Sequence, residues 1–167
     1  MGINEATLNK LQNKDSIRLF VKRGLEGKYS NNVGDLILAD IEEKIKAISI
    51  KYGLDYEKNV RIPLLDRAVS FVLESAVDPK IIIDVSYSVT TSSAQGYKTN
   101  VARKTEVILK LERTTGNNII YINFLDGAGW IGRQADMREI HRCSDYVLNF
   151  NNINLLEDII ADYVASN

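Results

Sequence analysis

The fold of this chain is decided by residues 63–93, which read PLLDRAVSFVLESAVDPKIIIDVSYSVTTSS. Two runs rich in β-branched and aromatic residues, 68–73 and 80–89, lie on either side of the turn signal Asp78-Pro79. Runs of this composition that are separated by a proline-containing turn are typical of paired strands. The segment therefore predicts a hairpin-like pair of strands.

Each predicted strand carries one acidic residue in an unusual place. Asp66 opens the first strand, and Asp84 lies inside the second, directly after three isoleucines. A carboxylate within an apolar strand costs several kcal/mol unless a partner compensates for it. A divalent cation shared by Asp66 and Asp84 would provide that compensation. The alternative is that Asp66 is a solvated residue at a strand end and that Asp84 is bonded to a neighbouring helix.

The composition is that of an ordinary globular protein, with 45% hydrophobic and 26% charged residues among 167. The apolar runs are too short to span a membrane, and the polar N-terminus lacks the apolar stretch of a signal peptide. The single cysteine, Cys143, has no partner for an internal disulfide. These features together predict a protein in a reducing, cytoplasmic setting without a membrane partner.

The net charge of −1 gives no general argument for a nucleic-acid partner, but the charges are unevenly distributed. Lysine and arginine outnumber the acids in residues 1–28 and 95–113, whereas acids outnumber them in residues 134–167. Two basic segments and an acidic tail can produce one electropositive face. The alternative is that these charges are the solvated, mixed-sign faces of helices.

The order of the predicted elements indicates an α/β fold, with a central mixed sheet of four to five strands flanked by helices. Residues 35–52 show the clearest helical period, and residues 24–32 and 53–59 are predicted to be a loop and a polar connection. The other predicted elements are a broken helix over 5–23, a helix over 97–113, a strand over 119–125, a helix or structured loop over 131–142, a strand over 146–150 and a helix over 154–164.

Three features in sequence order resemble the PD-(D/E)xK nucleases. Pro63-x-x-Asp66, followed by Asp84-Val85-Ser86 after an isoleucine run, is similar to the active-site motif of that superfamily. The threonine- and serine-rich residues 90–93, followed by Lys98, resemble the segment after the metal-binding strand in type II restriction endonucleases. Residues 124–130, FLDGAGW, are similar to an element of the subgroup that cuts around GATC. The resemblance covers roughly residues 60–158.

The resemblance implies a restriction-endonuclease-like nuclease domain over residues 1–167, with a helical part, 1–58, and a catalytic core, 59–167. It implies a Mg²⁺-dependent, site-specific endonuclease that hydrolyses phosphodiester bonds of double-stranded DNA. The alternative is a nuclease-like subunit with weak or lost catalysis that binds DNA or a partner protein. Because cutting two strands needs two sites, a homodimer or a larger DNA-recognition subunit is expected.

The resemblance assigns Asp66, Asp84 and the backbone carbonyl of Val85 as Mg²⁺ ligands, which suits a hard cation that prefers oxygen. Ser86 stands where the family motif has lysine, so the group that activates the attacking water is left open. Lys98 is a candidate for that role or for a phosphate contact. Glu43 is a candidate for an additional acid, although exposed helix faces are where glutamates fall by default.

Polar residues near the proposed metal site suit DNA contacts. Hydroxyls, amides and the N–H groups of a helix N-terminus bind phosphate, whereas arginine and glutamine bind guanine and adenine through paired hydrogen bonds. Ser92 and Ser93 have the alternative role of capping the helix that follows them. The predicted DNA-binding residues are Thr91, Ser92, Ser93, Gln95, Lys98, Arg133, Gln134 and Arg138.

Overall fold

The computed structural model describes residues 14–166, and the first described element is a 39-residue helix, α1 (Lys14–Tyr52). The helix predicted over residues 35–52 is confirmed as its second half. The loop predicted over residues 24–32 is wrong, because α1 continues through it. A glycine inside a helix costs only about 1 kcal/mol relative to alanine, and the glycines here are separated by good helix formers. Of the broken helix predicted over 5–23, residues 5–13 lie outside the described part.

Five strands form one mixed sheet in the order β1 to β5, which confirms the predicted fold class. Strands β1, β2 and β3 are antiparallel neighbours, and β4 and β5 join them in parallel. The strands are β1 (Tyr56–Ile62), β2 (Arg67–Glu74), β3 (Pro79–Tyr87), β4 (Ile120–Asp126) and β5 (Tyr146–Leu148).

The polar connection predicted over residues 53–59 is wrong for residues 56–59, which belong to strand β1. The strand lies at the sheet edge with much of its surface exposed, so its sequence, YEKNVRI, lacks the apolar character of a buried strand. It also runs across residue 58, where the helical part was predicted to give way to the core. The assignment of a single domain stays a prediction.

Helices cover both faces of the sheet. Helices α1 and α4 (Leu155–Ala165) pack on one face, and α2 (Ser93–Thr114) and α3 (Gln134–Cys143) pack on the other. Helix α2 connects β3 to its parallel neighbour β4, as such a pair requires. Short 3₁₀ turns lie at Pro63–Leu65, Ala128–Arg133 and Phe150–Asn152. No helix among residues 14–166 has the length and apolar character needed to cross a bilayer.

The alternation of side chains along β3 decides where Asp84 points. Ile81 and Ile83 pack in the core beneath α1, whereas Ile82 packs in the core beneath α2 and α3. Because successive side chains of a strand face opposite sides, Asp84 shares the face of Ile82. The carboxylate therefore enters the layer between the sheet and α2.

Candidate functional site: a buried acid and an adjoining groove

Asp84 is buried, with 7% of its surface exposed, and its carboxylate is fully engaged by protein side chains. The guanidinium of Arg67 binds it through two hydrogen bonds, Nη1 to Oδ1 at 2.9 Å and Nη2 to Oδ2 at 2.6 Å. The hydroxyl of Tyr121 donates a third hydrogen bond to Oδ2 at 2.8 Å. Arg67 also donates to Thr105 Oγ1 of α2 at 3.0 Å. The partners that compensate for this buried charge thus come from strands β2 and β4.

The protonation states of this network follow from its burial. Burial opposes the charged form of Arg67, but the hydrogen bonds and the charge of Asp84 outweigh burial and raise its pKa. Burial, reinforced by the nearby charge of Asp84, raises the pKa of Tyr121 well above its usual range. Tyr121 is therefore a neutral hydrogen-bond donor at neutral pH, and Arg67 is a cation. The carboxylate of Asp84 is matched by one charge and three hydrogen bonds.

Asp66 lies in a very different environment, at the end of the 3₁₀ turn Pro63–Leu65. Its backbone has a left-handed φ of +50°, a conformation that aspartate tolerates better than most residues, and its N–H donates to the carbonyl of Pro63 at 3.2 Å. The side chain is 89% exposed and pairs with Arg61 at 2.5 Å. An exposed pair of this kind contributes about 0–1 kcal/mol, so Asp66 is free to bind other groups.

Arg67 links the two acids, because it follows Asp66 in the chain and binds Asp84 directly. As arranged, however, the acids do not fit a shared divalent cation, since Arg67 and Tyr121 occupy both oxygens of Asp84. Within residues 14–166 no group of three or more histidine, cysteine, aspartate or glutamate side chains is placed to hold a metal ion. The ligand roles of Asp66, Asp84 and Val85 stay predictions, and the role of Asp84 requires Arg67 to release it.

A groove of about 420 Å³ lies between the 3₁₀ turn and helix α2, and Asp66 lines it. Arg67 lines the same groove from the start of β2, and Lys104 lines it from α2. Lys104 was not among the predicted site residues. It is exposed and has no ion pair or hydrogen bond within the described part of the chain. The remaining residues that line the groove are Leu65, Tyr97, Asn100, Val101, Thr105 and Ile108.

The other candidates for catalysis are not gathered around the two acids. Lys98 is half-buried on α2 and does not line the groove of Asp66. Ser86 lies in β3 opposite Leu125, and its carbonyl accepts a hydrogen bond from the indole of Trp130 at 3.2 Å. Glu43 is exposed on α1, which packs on the opposite face of the sheet from the one that Asp84 enters. Their catalytic roles stay predictions.

The loop before α2 is held by its own side chains. Ser92 is the N-cap of α2, and its hydroxyl accepts from the N–H of Ala94 at 3.2 Å. Gln95 is only 1% exposed. Its oxygen accepts from the N–H and hydroxyl of Ser92, and its amide donates to Ser88 Oγ and to the carbonyl of Thr90. All hydrogen-bonding capacity of Gln95 is thereby used within the loop.

The Asp-Gly-Ala-Gly-Trp element packs against this loop by close backbone contact. A Cβ at Gly127 would lie 2.3 Å from the carbonyl oxygen of Ser88, and one at Gly129 would lie 2.5 Å from that of Thr90. The N–H of Gly129 also donates to the carbonyl of Ser88 at 2.8 Å. Only glycine permits such an approach, so the element fixes the loop that presents the exposed side chains of Thr91 and Ser93.

The predicted base-contacting residues lie at and within helix α3, with Arg133 at its N-cap and Gln134 and Arg138 inside it. Arg133 is paired with Asp136 at 2.6 Å, which limits its freedom to reach DNA. Gln134 and Arg138 are exposed and line a second cavity, of about 770 Å³, beside Trp130. Arg138 has no ion pair within residues 14–166. Gln134 and Arg138 therefore remain available to contact a ligand.

Much of the positive charge on α2 is neutralised by ion pairs with acids. Arg103 pairs with Glu139, Lys110 with Glu106, and Arg113 with Asp145. The basic segment 95–113 therefore does not present all its charges to solvent. Lys98 and Lys104 are the cations of α2 without such a partner in the described part of the chain.

The family of the chain follows from comparison with known proteins. Residues 5–167 match the family model of the BanI C-terminal domain, and the chain belongs to that family. BanI is a restriction endonuclease, so the chain is related to that class of enzyme. No curated protein and no solved structure matches the chain.

Proposed function

We propose that this chain is a DNA-cleaving domain of the restriction type, which hydrolyses phosphodiester bonds in double-stranded DNA at a specific site. Its membership of the BanI C-terminal domain family supports this proposal. The structural observation that carries it is the groove between the 3₁₀ turn and helix α2, which is lined by the exposed carboxylate of Asp66 and by the exposed Lys104.

The proposed site lies in that groove, where the scissile phosphate would approach the exposed carboxylate of Asp66. The hydroxyls of Thr91 and Ser93 would contact neighbouring phosphates, because both residues flank the N-cap of α2, Ser92. The exposed side chains of Gln134 and Arg138 would read bases. Gln95 and Ser92 would act by fixing the loop.

Restriction endonucleases typically depend on a divalent metal, and Mg²⁺ is the cation we propose. Such an ion lowers the pKa of a bound water and offsets charge on the phosphate. The carboxylate of Asp66 suits it chemically and is accessible. Asp84 would join Asp66 as a ligand only in a conformation in which Arg67 has turned away. The water-activating group is not assigned to Ser86, because a serine hydroxyl is too weak a base to take a proton from water.

A second candidate function is a nuclease-like module that binds DNA or a partner protein with little or no cleavage. The engagement of Asp84 by Arg67 and Tyr121 favours this candidate, because a locked acid cannot act on a substrate. In either case one chain supplies one site. Cleavage of both strands then needs a second polypeptide, either a second copy or a larger part that recognises the sequence.

A plasmid-cleavage assay separates the two functions. Supercoiled plasmid is incubated with the purified protein in Mg²⁺, in Ca²⁺ and in a chelator, and DNA binding is measured in parallel by fluorescence anisotropy. Nicked or linear product that needs Mg²⁺ and disappears in Asp66→Ala, with binding retained, supports the nuclease. Binding without cleavage in every condition supports the binding module, and the absence of both overturns both candidates.

A further inference from the structure

We propose that Lys104 is the phosphate-binding cation of the groove beside Asp66. The sequence resemblance points instead to Lys98, and neither the fold nor the family match assigns Lys104 a role. The proposal rests on the proposed function in one respect, namely that the ligand is double-stranded DNA. Its chemical content is that a backbone phosphodiester enters this groove and contacts the ammonium of Lys104.

The two lysines of α2 differ in their position relative to the groove. The helical residues that line the groove are Tyr97, Asn100, Val101, Lys104, Thr105 and Ile108. Steps of three and four residues along an α-helix keep side chains on one face, and this set follows such steps throughout. Lys98 is one position away from Tyr97 and is absent from the set. Lys104 therefore lines the groove together with Asp66, whereas Lys98 does not line it.

The balance of charge in the groove favours an anionic ligand. The two carboxylates, Asp66 and Asp84, are each paired with an arginine, Arg61 and Arg67. Lys104 adds a third positive charge, for which the described residues offer no counter-ion. A groove with one uncompensated cation is complementary to a group of single negative charge. A phosphodiester of the DNA backbone carries that charge.

The neighbours of Lys104 on the groove include side chains that can donate hydrogen bonds to phosphate. Tyr97 is 68% exposed and Asn100 is also exposed, and they line the groove about two turns and one turn before Lys104, respectively. Tyrosine hydroxyls and asparagine amides are common donors to phosphate oxygens. The backbone of one DNA strand would therefore lie along this face of α2, with its phosphate between Lys104 and Asp66.

Matched lysine substitutions test the proposal without any need for cleavage. Wild type, Lys104→Ala, Lys98→Ala and the conservative Lys104→Arg are titrated with a fluorescent DNA duplex in a chelator over a series of salt concentrations. Loss of one phosphate contact reduces the slope of log affinity against log salt by about 0.9. We expect this smaller slope and weaker binding in Lys104→Ala but not in Lys98→Ala. We expect Lys104→Arg to have the slope of the wild type. Because Lys104 is exposed, the thermal unfolding of Lys104→Ala and Lys104→Arg should match that of the wild type.

The outcomes separate this proposal from the proposed nuclease. A slope that falls in Lys98→Ala but not in Lys104→Ala, or in neither alanine variant, overturns the role of Lys104 even if the wild type cleaves DNA. A slope that depends on Lys104 in a protein that never cleaves supports the groove contact and refutes the nuclease. A wild type that does not bind duplex DNA overturns both.

Discussion

Replacement of Asp84 by alanine should strongly destabilise the fold, even in the absence of DNA and metal. The substitution leaves the guanidinium of Arg67 buried without its counter-ion and removes the acceptor of the Tyr121 hydroxyl. Breaking a buried ion pair by removing one partner costs about 3–5 kcal/mol. For a chain of this size each kcal/mol corresponds to about 2–4 °C in the melting temperature, so a loss of about 6–20 °C is expected.

Urea and thermal unfolding followed by circular dichroism provide the measurement, and Asp66→Asn is the control, because asparagine also tolerates the left-handed backbone at this position. Asp66 is exposed and its ion pair with Arg61 is worth about 0–1 kcal/mol, so its loss should be barely detectable. A double-mutant cycle of Asp84→Ala with Arg67→Ala should show a coupling of about 0.5–3 kcal/mol, because the two side chains form one network. If Asp84→Ala unfolds at the wild-type temperature, or is more stable, the acid is not held by Arg67 and the argument fails.

Two further predictions concern the turns and the helix surface. Gly129→Ala should destabilise the protein, because its Cβ would lie 2.5 Å from a backbone oxygen. The control, Gly24→Ala, lies in an open helical position and should stabilise the protein by about 1 kcal/mol. Equal melting temperatures of the two variants would contradict the close packing at Gly129. Arg142 and Arg103 lower the pKa of Glu139 from 4.5 to about 2. Stability from this carboxylate is present above pH 4.5 and is lost as the pH falls towards 2, and Glu139→Gln should remove that part of the acid dependence in unfolding titrations.

The strands that build the core could be predicted because buried strands are rich in apolar residues. Strands β2, β3 and β4 are buried on both faces, and their runs of β-branched and aromatic residues stand out. Strand β1 is an exposed edge, so its charged residues gave the pattern of a connection. Residues 24–32 of α1 were mistaken for a loop because glycine and asparagine are local turn signals. Local signals do not record that a helix, once begun, extends at low cost.

Of the candidate site, the buried acid could be predicted from the residues of its own strand, but its partners could not. Three isoleucines before Asp84 indicate that the acid is buried, and burial demands a partner. The partners were missed because Arg67 and Tyr121 come from two other strands, at positions set by tertiary packing. Lys104 was missed for a different reason, since the family motif drew attention to Lys98. Lys104 lies three residues after Val101 and four before Ile108, and this spacing is the signal that places it on the same helical face as those two residues.

The adjacency of Asp66 and Arg67 connects the stability of the fold with the geometry of the groove. Replacement of a buried ion pair by apolar residues is often neutral or even stabilising, so stability alone does not explain the pair with Asp84. Arg67 does more than compensate for a charge, because its two contacts fix the start of β2 against β3 and, through Thr105, against α2. The preceding residue is Asp66, whose N–H donates to the carbonyl of Pro63. The buried pair therefore sets the position of Asp66 relative to the helix that carries Lys104.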